Sequence, residues 1–178
     1  MKKNKNAWKL TYAAVCLALA LVLPFLTGQI PQIGRTLCPM HIPVLLCGFL
    51  CGWPYGVVVG FIAPVLRSAC FGSPIMFPMA VSMSFELAVY GMFSGVLFNV
   101  FPKKIGYTYL ELIIAMIGGR VAYGVISAVI AGIQHTEFSL LTCIVGTFSG
   151  AIPGIILQLV LIPPVIATLK KSDLVFND

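Results

Sequence analysis

At 178 residues, 60% hydrophobic and only 9% charged, with a mean hydropathy of +1.03, the chain has too little polar surface for a soluble globular domain. Long unbroken apolar runs, in place of period-two alternation, exclude a β-barrel and leave an all-α integral membrane protein. The net charge of +6 comes from lysines grouped outside those runs, so it sets topology and gives no indication of a nucleic-acid partner.

The hydropathy predicts a compact bundle of six transmembrane helices in a single domain, residues 1–178. The first span covers about 8–26, behind a basic head of Lys2, Lys3 and Lys5. That start resembles a secretory signal, but no clean small-residue cleavage site follows and the rest of the chain is equally apolar, so it reads as a span. The second covers 41–52, and a tight Trp53-Pro54-Tyr55 turn leads to the third at 56–71. These two are short, which keeps a re-entrant hairpin and a total of five to seven spans open. The fourth runs over 77–101, closed by Pro102-Lys103-Lys104; the fifth over 109–133; the sixth over 141–169, with Pro153, Pro163 and Pro164 positioned to bend it.

All eight lysines fall at positions 2, 3, 5, 9, 103, 104, 170 and 171. With six spans these lie on one side, and the excess of positive charge makes that side the cytoplasm, placing both termini inside. The location expected is a bacterial-type cytoplasmic membrane. The opposite side then carries a fourteen-residue loop, Thr27–Met40, rich in turn-formers yet partly apolar, which reads as a lid or as a plain surface loop. It also carries Phe71–Phe77, and a third loop, Gly132–Leu140, with Gln134, His135, Thr136 and Glu137.

Charges inside spans are the strongest chemical signal. Arg67, Glu86 and Arg120 each cost at least ~2.5 kcal/mol facing lipid at mid-membrane, so they should face the bundle interior or a wet cavity. Two readings follow: an Arg120–Glu86 salt bridge that only holds helices together, or part of a polar ligand pocket open to the outer side. Glu111 is expected at the interface, and Asn99 close to the inner surface.

Small residues mark expected helix contacts: Gly48, Gly52, Gly56 and Gly60, with Pro54 interrupting any single helix through them; Gly91 with Gly95; Gly146, Gly150 and Gly154; and Ala14 with Ala18 on the first span. Most such faces pack within a chain, whereas one on an outer helix offers a docking surface. The six cysteines form no CxxC: Cys47 and Cys51 are four apart, Cys16 and Cys143 read as ordinary small apolar residues, and Cys38 with Cys70 is an undecided pair. His41 and His135 lack partners at metal-ligand spacing, and there is no HExxH, GxSxG or Walker motif. No metal site and no enzyme activity is therefore expected of this chain.

About 180 residues with six spans, a basic head, the Ala14-x-x-x-Ala18 motif and the segment from Pro39 to Gly56, PMHIPVLLCGFLCGWPYG, resemble the substrate-binding S components of energy-coupling factor (ECF) transporters. The likeness spans nearly the whole chain, and the architecture carries more of it than any single motif. It implies capture of a water-soluble vitamin or related micronutrient at the outer side, under a lid formed by the loop after span one. It implies partners as well: a transmembrane coupling subunit and two cytoplasmic ATPases that hydrolyse ATP, with no cofactor in this chain. Toppling of the S component in the membrane would deliver the ligand inward. Ala14 and Ala18 match the alanine motif that meets the coupling subunit. Ligand-facing positions vary in this family, so the candidates come from the residues themselves: Arg35, Arg67, Glu86, Arg120, Tyr123, His135 and Gln158. Two arginines beside one acid suit a carboxylate-bearing or zwitterionic ligand. Pantothenate is one such vitamin, with a B6 vitamer or cobalamin also open.

Two other classes stay in view. A stand-alone secondary carrier or channel needs a polar path to the cytoplasmic side, and the inner halves of the spans look too apolar for one. A small membrane enzyme or assembly factor predicts a reactive constellation, which the sequence lacks.

Overall fold

The computed structural model describes residues 5–27, 38–102, 105–134 and 152–171, all of them in helices or short connections. Helix α1 is Lys5–Val22, continued by a 3-10 turn at Leu23–Thr27; α2 is His41–Cys51 and α3 Trp53–Phe71. After a short π-turn at Met76–Ala80 come α4, Val81–Val100; α5, Ile105–Ile133; and α6, Ile152–Lys171. Among the described residues, five segments are long and apolar enough to cross a membrane, while α2 is shorter. At 1.5 Å per residue α2 reaches roughly 16 Å, about half a hydrocarbon core, whereas α3 is long enough to span.

Trp53, Pro54 and Tyr55 are not a turn, as the sequence suggested, but the first turn of α3. Proline is tolerated at the first helical positions because the N–H it lacks has no intrahelical partner there. The break falls one residue earlier, at Gly52, whose φ of 96° an L side chain rarely adopts. Gly72 closes α3 in the left-handed conformation, its N–H bonded to the Ser68 carbonyl.

Small residues set how the helices meet. A Cβ on Gly56 would lie 2.5 Å from the Gly91 carbonyl oxygen, and one on Gly48 would meet the Ser94 hydroxyl and the Gly91 carbonyl. A Cβ on Gly95 would collide with the backbone of Trp53. The backbones of α2 and α3 therefore ride directly on α4, the close approach that dispersion requires when lipid supplies no hydrophobic drive between helices. Gly118 and Gly119 of α5 receive the rings of Phe93 and Tyr90 in the same way.

These contacts run antiparallel. Ala13 and Cys16 of α1 pack with Val44, Cys47, Leu50 and Cys51 of α2, while Ala20 packs with Met40. Lys170 at the end of α6 lies over the Phe98 ring of α4, with 4.5 Å to its centroid. Lys9 and Lys170 thus share one end of the bundle, and Met40, His41 and the start of α4 lie toward the other. At the lysine end Phe49, Phe98, Leu112, Ile162 and Ile166 form the core. Val121, Val125, Val129 and Ile133 of α5, one turn apart, form an exposed apolar stripe suited to face lipid.

Candidate functional site

Two of the three intramembrane charges come together. Glu86, one turn into α4, is 1% exposed, and Arg120, midway along α5, is 9% exposed. Arg120 Nη1 lies 3.0 Å from Glu86 Oε1, an ion-pair distance reached without the alignment of a hydrogen bond. Gly119 lets the helices close here, since a side chain at that position would strike Tyr90. The expected salt bridge is present, but it is not closed on itself.

Around it stand groups from the start of α2 and the residues before it. His41 opens α2 and is buried, with Nε2 at 3.6 Å from Glu86 Oε1. Its ring meets Tyr90 edge to face at 5.0 Å, and the Arg120 Nη2 group donates to Cys38 Sγ over 3.6 Å. Toward the end away from the lysines, the Ser127 hydroxyl donates to Ser82 Oγ at 3.3 Å, and Ser82 donates to the Pro78 carbonyl. Tyr123, half-buried, lies between Arg120 and Ser127 on α5. The cluster is polar, buried and incompletely satisfied: among the described residues, both His41 ring nitrogens and Arg120 Nε have no hydrogen-bond partner. Each such orphan costs roughly 1–3 kcal/mol unless something fills it.

The other sequence candidates distribute differently. Gln158 of α6 is 1% exposed, and its Oε1 has no hydrogen-bond partner among the described residues. Arg67 is taken up elsewhere: its Nη1 donates to the Leu21 carbonyl at 2.6 Å, between the rings of Phe25 and Phe71. Arg35 and His135 lie outside the described residues, as does most of the loop 27–40. Glu111 is buried within the bundle near the start of α5, because α5 turns that face toward the core beside Leu112 and Ala115. Cys38 and Cys70 are not joined in a disulfide.

Sequence reasoning missed His41, Cys38, Tyr90, Ser82 and Ser127. His41 carried a signal, an imidazole at the first turn of an apolar span; Tyr90 carried a weaker one, lying one turn from Glu86. No group of three or more His, Cys, Asp or Glu residues suited to a metal occurs among the described residues.

On α1, Ala13 and Cys16 are buried against α2 and Ala20 against Met40 and Ala63, while Ala14 and Ala18 are exposed on the opposite face with Val15 and Leu19. The small-residue motif thus points away from this chain's own bundle. The model of the ECF transporter substrate-specific component matches residues 8–174. The chain belongs to that family. It is a substrate-binding subunit of an ECF importer, a transporter component of a multi-pass membrane type. Comparison with curated proteins and with solved structures gave no significant match. In this S component, the buried polar cluster lies toward one end of the helices and the exposed alanines line an outer face.

Proposed function

We propose that this S component captures a small carboxylate-bearing or zwitterionic vitamin-type molecule at the His41–Glu86–Arg120 cluster. The observation that carries the reading is the buried pair with unfilled polar capacity around it: both imidazole nitrogens of His41 and Nε of Arg120. Arg120 would meet a ligand carboxylate through charge-assisted hydrogen bonds, with Glu86 holding the guanidinium in place and balancing its charge. His41 and Gln158 supply further hydrogen bonds, and Tyr123 and Ser127 lie on the side a ligand would enter. Pantothenate fits this chemistry, and a B6 vitamer or cobalamin is a further candidate. The loop 27–40, with Arg35, would cover the site, and His135 would approach it from the loop after α5.

In this reading the lysine end is cytoplasmic and the cluster opens to the outside. The exposed Ala14 and Ala18 face docks the coupling subunit, and two ATPases on that subunit hydrolyse ATP; this chain needs no cofactor of its own. The test is native mass spectrometry of the full chain purified in detergent. A small molecule retained by the unsubstituted chain and lost from Arg120→Met and His41→Phe supports capture at this cluster. Retention unchanged in both, with lowered thermal stability, leaves the ion pair as a structural strut and overturns the assignment.

A further inference from the structure

Arg67 is buried in α3, yet no carboxylate pairs with it among the described residues. Its environment explains why it is there. At the end of α1 the helix tightens into the 3-10 turn Leu23–Thr27. In that geometry each N–H turns to the carbonyl three residues back, so Phe25 is directed to Val22 and the partner due to Leu21 would be Pro24. Proline has no N–H to give, so the ideal 3-10 pattern offers the Leu21 carbonyl no donor. Arg67, one turn before the end of α3, supplies it, with Nη1 at 2.6 Å. The charge is covered by aromatic faces: the guanidinium carbon lies 5.1 Å from the Phe25 centroid and 5.6 Å from that of Phe71. The two rings meet edge to face at 4.9 Å.

These contacts tie the end of α1 to α3 immediately behind the candidate site. Ala20, adjacent to Leu21, packs with Met40 and Ala63. Met40 directly precedes His41, and Cys38, which receives the Arg120 hydrogen bond, is two residues before Met40. The geometry points to Arg67 as a positioning residue: a strap between α1 and α3 that holds Ala20 against Met40 and so fixes His41 beside Glu86, without touching ligand. The consequence for binding rests on the capture reading, whereas the strap itself does not.

The experiment places spin labels at the exposed Leu19 of α1 and Ile62 of α3 in the full chain and reads their distance distribution in lipid nanodiscs. The strap predicts a single narrow distribution with Arg67 intact and a shift to longer, broader distances in Arg67→Met. Arg67→Lys, which can still donate to Leu21 and lie over the rings, should restore most of the narrow population. Phe25→Leu removes one ring face and should broaden the distribution even where Arg67→Met does not fold. Superimposable distributions for the unsubstituted chain and Phe25→Leu, or Arg67→Lys no better than Arg67→Met, overturn the strap. Retention of the molecule that co-purifies with the unsubstituted chain is read in parallel and should follow the distances across the same variants. If the unsubstituted chain retains nothing, the capture reading fails while the distance test of the strap stands.

Discussion

Arg120 Nη1 and Glu86 Oε1 lie 3.0 Å apart in the bundle interior, with the imidazole of His41 close enough to contact the same carboxylate oxygen. Such a pair is costly to break from one side, because the remaining charge stays buried and uncompensated. Glu86→Gln should therefore lower stability by about 3–5 kcal/mol. The double variant Glu86→Gln/Arg120→Met, which removes both charges, should recover a substantial part of that loss while retaining no ligand. Thermal unfolding in detergent and native mass spectrometry read the two effects separately. A double variant that is restored in stability and still binds as the unsubstituted chain does would falsify the ligand role.

Gln158 offers a contrasting case. Its side chain is buried with Oε1 lacking a hydrogen-bond partner among the described residues. An unfilled buried acceptor weakens the fold, so replacing it by an apolar group of similar length removes a penalty of roughly 1–3 kcal/mol. Gln158→Met should leave the melting temperature unchanged or raise it. Where the amide serves ligand, retention falls in the same variant; where it does not, retention is unaltered and Gln158 leaves the candidate set.

The close seam between α3 and α4 sets Gly91 apart from a glycine outside it. At Gly91 a Cβ would collide with the Gly56 backbone, which has no flexible end to move aside. Gly91→Ala should cost about 1–3 kcal/mol or more, since overpacking displaces backbone. Gly124 of α5 has open space around the equivalent atom. Gly124→Ala should be neutral or stabilising by up to about 1 kcal/mol, the ordinary helix preference for alanine. Equal melting temperatures for the two variants would show that the seam is looser than the packing implies.

The same residues show what the sequence carries and what it withholds. The helical, membrane-spanning character was legible from apolar runs alone, because lipid leaves the backbone few alternatives. The recurring glycines at 48, 56, 91 and 95 were visible as close-contact positions, and an interruption between the second and third spans was visible too, but at Pro54 and not at Gly52. The Trp53–Tyr55 helix start was not legible, because proline reads equally as a turn and as a first helical residue. The Arg120–Glu86 pair was foreseeable by scarcity: few charges exist in the spans to pair. The partner of Arg67 was not, because it is a backbone carbonyl, and any residue carries one. Only Pro24, which removes a donor near the end of α1, hinted that an acceptor there would need help from outside. His41 and Cys38 meet the pair through the placement of the start of α2 beside α4 and α5, a long-range relationship that local pattern does not encode.

Ala14 and Ala18 provide the test of partner docking, because burial separates them from their neighbours on the same helix. Both are exposed, whereas Ala20 is fully buried against Met40 and Ala63. A small side chain on an outer face permits another helix to approach closely, and enlarging it pushes that helix away without disturbing the chain's own packing. Ala14→Phe and Ala18→Phe should therefore keep the melting temperature and ligand retention of the unsubstituted chain. Uptake into cells or vesicles that also contain a coupling subunit and ATPases should fall steeply, with less coupling subunit recovered on purification. Ala20→Leu is the control with the reverse signature: overpacking at a buried position should lower stability by about 1–3 kcal/mol. If the two exposed variants lose stability and ligand together, as Ala20→Leu does, the face belongs to the internal packing of the bundle. If they keep both and transport continues undiminished, the coupling subunit engages a different surface.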